Sequence, residues 1–201
     1  MTMIAVATRP AGLTRVLVLS LVARIPIGAL SLLVILAVRH AGHGYALAGV
    51  ASGACALGMA VSAPVLGRLM DRFGQRVVLL ACALATAVTF VGYAALPHSA
   101  PAWLFPAVAL LCGIAQPPVS ACARVIWRRL LDADSFRSLL AFDASLQEIA
   151  FMLGPLLLVT LATQIGVQSA LAATGLGWAA VTAAFALLPE TREAREASAA
   201  P

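Results

Sequence analysis

Lysine is absent from this sequence, and charge of either sign is scarce. Only 10% of the 201 residues are charged, and all 13 basic ones are Arg. A soluble domain carries about 25% charged residues, so a folded chain this poor in charge cannot cover a surface that faces water. No hydrophilic stretch is long enough to make a soluble domain or a linker. Catalytic signatures are missing too: there is no H-E-x-x-H pair for a metal-dependent membrane protease and no P-loop. The first apolar stretch is too long for a signal-peptide core, so it is read as retained. The four cysteines, Cys55, Cys82, Cys112 and Cys122, lie in apolar stretches without CxxC spacing and read as small packing residues. His40, His43 and His98 all fall between apolar stretches, where solvation is the expectation. A rhomboid-type serine protease, which needs a His inside a span, is thereby disfavoured. No metal, cofactor or enzymatic activity is expected.

What the sequence has is apolar length: 62% of its residues are hydrophobic. A helix needs roughly 20 apolar residues to cross a bilayer. Six stretches qualify: 13–38, 45–66, 77–96, 103–123, 139–163 and 168–188. No alternation of the β-barrel kind runs along the chain. The expected fold is therefore all-α, a single polytopic unit of six transmembrane helices over residues 1–201 whose solvent is lipid.

The net charge of +5 would suit nucleic acid, but its placement argues for a membrane. Eleven arginines (9, 15, 68, 72, 76, 124, 128, 129, 137, 192 and 195) fall on one side of the six stretches, and only Arg39 falls on the other. Such a bias marks the cytoplasmic side. Both termini are expected there, in a plasma-membrane protein, and the even span count agrees.

The most specific segment is Gly67-Arg-Leu-Met-Asp-Arg-Phe-Gly-Gln-Arg76, between spans 2 and 3. It resembles the signature loop of the major facilitator superfamily, G-x-x-x-D-[RK]-x-G-[RK]-[RK], through Gly67, Asp71, Arg72, Gly74 and Arg76. Gln75 stands where the family usually has Arg or Lys. Leu188-Pro-Glu-Thr191 is similar to the boundary that often ends the family's sixth helix, and Gly154-Pro155 is similar to the core of its antiporter motif, without the flanking glycines. The usual helix-4 Arg-x-x-x-Gly is absent; Gln116-Pro-Pro118 lies mid-span instead. The resemblance implies one six-helix half of a twelve-helix transporter, built as two inverted three-helix repeats and stopping just after helix 6. It implies alternating-access transport of a small solute, efflux included. A second six-helix half, a homodimer partner or a separate chain, would then complete the unit. The competing readings are a non-transport membrane partner protein and an inactive truncated fragment.

Charge inside a bilayer costs roughly 3 kcal/mol or more, so it faces a bundle interior or a cavity. Arg24 in span 1 and Glu148 in span 5 are expected at a similar depth, roughly 14–17 Å from the cytoplasmic end, where they pair or share an aqueous cavity. A titrating Glu148 would suit proton coupling. Asp143, nearer the cytoplasmic end, is expected to be solvated or at a helix terminus. Ser20, Arg24, Gly28 and Ser31, then Gln116, Ser120 and Arg124, recur at helical spacing. So do Ser145, Glu148, Met152 and Pro155, and Ser52, Cys55, Met59 and Ser62. These stripes are expected to face the bundle. Arg24, Gln116 and Glu148 are the candidate pathway residues. Gly49-x-x-x-Gly53 is expected to pack helices.

Overall fold

The computed structural model describes residues 11–191. Arg9, Arg192 and Arg195, counted in the charge bias, lie outside them. The described chain is all-α, with helices α1 (Ala11–Val22), α2 (Ile25–His40), α3 (Tyr45–Phe73), α4 (Gln75–Ala94), α5 (Leu104–Ile114), α6 (Val119–Leu130), α7 (Ala133–Ile165) and α8 (Val167–Ala186). They make six helical runs long and apolar enough to cross a membrane. The first is α1 and α2 together, and the fourth is α5 and α6 together.

Proline explains both interruptions. Pro26 has no N–H to give the Val22 carbonyl. The chain turns at Ala23–Arg24, where Arg24 N bonds the Leu21 carbonyl and Ile27 N the Arg24 carbonyl, each three residues back. In the fourth run, Pro117 and Pro118 remove two consecutive donors. Beside this gap the buried Ala115 carbonyl accepts from Thr86 Oγ1 of α4 at 2.9 Å.

The runs form two equivalent sets. Each set has a broken span, a long unbroken helix (29 residues in α3, 33 in α7) and a 20-residue helix (α4, α8). The long and short helices are joined each time by one glycine: Gly74 with φ 87° and ψ 152°, Gly166 with φ 85° and ψ 153°. That region of backbone space is essentially closed to other residues. Packing obeys the same exchange. The second span (α3) packs on α5 of the fourth, the fifth span (α7) packs on α2 of the first, and α4 packs on α8. An odd number of spans per set makes the two repeats inverted.

Small residues set these contacts. A Cβ on Gly113 would meet the Cys55 carbonyl of α3, and one on Gly154 would meet the Ile25 carbonyl at the first break. Phe90 and Trp178 meet edge to face between α4 and α8, with centroids 5.9 Å apart. Gly49 and Gly53, expected to pack helices, do not do so within this unit. Both are exposed, with nothing within 4 Å of a Cβ at either site.

Several helices outrun their apolar stretches on the arginine-rich side. α3 continues to Phe73, α6 to Leu130, and α7 begins at Ala133. Hydropathy marks the lipid boundary, whereas a helix continues until its backbone bonds are capped. Asp132 caps α7, accepting from Ser135 N at 3.1 Å. Hydrogen bonds from the Ser135 side chain and then its backbone hold the Asp132 carboxyl below its ordinary pKa. At the other end of the chain, Thr191 Oγ1 donates to the Ala186 and Leu188 carbonyls and closes α8 where Pro189 stops it.

Candidate functional site

Because α1 breaks at Arg24, its side chain enters the bundle at the end of one helix rather than along a continuous face. All three guanidinium nitrogens are used. Nη1 and Nη2 donate to Asp143 Oδ1 and Oδ2 of α7 at 2.6 and 3.1 Å, and Nε donates to Ser120 Oγ of α6 at 2.9 Å. Arg24 is 1% exposed and Asp143 2%. A planar fork on a carboxylate is the geometry in which a buried ion pair offsets its desolvation. A second guanidinium stands by: Arg124 Nη2 lies 3.8 Å from Asp143 Oδ2, on a half-exposed side chain.

This replaces the expected pairing of Arg24 with Glu148. Since α7 starts at its Asp132 cap rather than at Leu139, the carboxylate at the depth of Arg24 is Asp143, ten residues past Ala133 and so about 15 Å along the helix. Asp143 is neither solvated nor at a terminus. Glu148, five residues further, turns to another face. It is exposed and makes no ion pair among the described residues. The sequence did hold the signal: Asp132 followed three residues later by Ser135, ahead of the apolar run, marks an earlier helix start.

Gln116 is half-buried in the gap between α5 and α6, one turn before Ser120. The inward stripes hold for Ser20, Arg24, Cys55 and Ser62, all buried. They fail for α7, where Ser145, Glu148 and Met152 are exposed, Met152 by 78%. The span formed by α7 is the least buried of the six, with 17% of its most apolar stretch inside the bundle. An apolar cavity of about 250 Å³ lies beside the first break, lined by Ile25, Pro26, Leu158 and Trp178 among others, and excludes the charged cluster.

Of the signature segment, Gly67, Asp71 and Arg72 ride on the end of α3, Gly74 is the whole turn, and Arg76 opens α4. Asp71 makes no ion pair among the described residues, while Arg72 lies over the Phe73 ring at 5.3 Å. On the opposite side, the His40 and His98 rings lie tilted at 5.2 Å, and His43 meets Phe105 edge to face.

Comparison with protein families finds one match: the sequence model of the Major Facilitator Superfamily aligns with residues 16–201. No curated protein and no solved structure matches the chain.

Proposed function

Because the chain belongs to the Major Facilitator Superfamily, a family of membrane transporters, we propose that it moves a small solute by alternating access along a path past Arg24, Ser120, Asp143 and Arg124. One observation carries this reading: the charged cluster sits where the two broken spans, equivalent members of the two repeats, meet α7. Interrupted helices at corresponding repeat positions are where transporters place their binding sites. Gln116, in the second interruption, belongs to the same path. We assign the chain no enzymatic activity.

Glu148 supports a finer reading. A carboxylate exposed within a membrane span needs water or protein beside it, and an acidic side chain so placed fits proton-coupled efflux. The exposed polar stripe of α7 and the small-residue stripe Gly49, Gly53, Ala56 and Ala60 of α3 both fit coverage by a second six-helix unit, a copy of this chain or a separate one. The arginine-rich side is placed in the cytoplasm, with both termini, in the plasma membrane.

The test is access to Gln116→Cys by a membrane-impermeant thiol reagent, in right-side-out and inverted vesicles. All four native cysteines are buried, so background labelling is low. Labelling from both sides is expected. Labelling from one side only would refute alternating access and favour a static membrane partner protein.

A further inference from the structure

We infer that the solute is an anion whose carboxylate or phosphate-type oxygens are held between Arg124 and Ser120. This names the substrate class of the site proposed above and rests on that reading.

The argument begins with charge. Two guanidiniums share one carboxylate. Both oxygens of Asp143 already accept from Arg24. Arg124 stands 3.8 Å off, beyond hydrogen-bond distance, with its side chain 51% exposed and no other contact of its own among the described residues. The remaining carboxylates on α7 do not compensate it: Asp134 pairs with Arg137 at 3.7 Å, and Glu148 forms no ion pair. One positive charge is therefore left without a hydrogen-bonded partner beside a buried pair.

Donor count points the same way. Ser120 Oγ accepts from Arg24 Nε, which leaves its own proton for another acceptor. Ser120 and Arg124 are four residues apart on α6 and so share a face. A hydroxyl proton and a guanidinium short of hydrogen-bond distance from its carboxylate, on one face, offer donors that an oxyanion engages with bidentate geometry. A neutral solute leaves the charge in place, and a cation is repelled by it.

Lipid headgroups carry the same oxygens, so the experiment separates the two sources. The full chain bearing Gln116→Cys is placed in phosphatidylcholine vesicles, and thiol labelling is timed at constant ionic strength with succinate, inorganic phosphate, glucose or tetraethylammonium. Succinate or phosphate slows labelling several-fold, while glucose and tetraethylammonium do not. Adding Arg124→Ala abolishes that protection without changing helical content or particle size, and Arg124→Lys keeps part of it. Absence of protection by either anion overturns the inference, as does protection by glucose or tetraethylammonium alone, or full protection in Arg124→Ala. So does equal slowing in phosphatidylglycerol vesicles without added solute, which would assign these donors to a lipid headgroup. Two-sided labelling without anion protection defeats the anion alone, whereas one-sided labelling defeats the transport reading beneath it.

Discussion

Among single residues, Asp143 carries the most consequence. It is the carboxylate that pairs with Arg24 among the described residues, both are almost fully buried, and removing one partner of such a pair strands the other. Asp143→Asn should cost about 3–5 kcal/mol, read as a lower unfolding midpoint of the purified protein in detergent. Arg24→Ala combined with Asp143→Ala should cost less than the sum of the two single changes, since it leaves neither buried charge of the pair without its partner. Glu148→Gln should leave the midpoint nearly unchanged, because Glu148 is exposed and unpaired among the described residues. A stability loss from Glu148→Gln matching that of Asp143→Asn would mean that the pairing is misassigned.

At the level of elements, the glycine hinges Gly74 and Gly166 are the same device used twice. Gly74→Ala and Gly166→Ala should each cost about 1–3 kcal/mol, and by similar amounts, because the two backbones share one conformation. Thermal unfolding checks this, and a strong asymmetry would argue against equivalent repeats. The elements also mark how far the sequence could be read. All six spans were legible, because length in a bilayer is set by apolar residues alone. The signature segment was legible as a turn, although only Gly74 lies outside helix. The start of α7 was not, since the turns before Leu139 are polar but still helical. That shift of six residues moved the ion pair from Glu148 to Asp143. The packing glycines were not separable either: Gly49-x-x-x-Gly53 fits the spacing rule and faces outward, while Gly113 and Gly154 pack against backbone with no such motif around them. Spacing shows what lies on one face, not which face the neighbouring helix takes.

Across the whole molecule, the smooth outer face of α3 and the polar face of α7 are the surfaces on which a second unit would sit. Gly53→Leu should leave the unfolding midpoint of the isolated six-helix unit unchanged, since a Cβ there meets nothing, while reducing association measured by cross-linking in membranes. Unaltered association would move the contact elsewhere. The bond from Thr86 to the Ala115 carbonyl bears on the whole assembly in a mechanical sense. It fastens the elbow of the fourth span to α4, and α4 is in turn wedged against α8 by Phe90 and Trp178. In the alternating-access cycle proposed above, the elbow would act as a bearing mounted on a fixed pillar and α6 as the lever swinging from it, about 18 Å long. A tilt of about 10° there carries its far end through about 3 Å. Ser120, close to the bearing, would then keep its place against Arg24 while Arg124, further out, moved past Asp143.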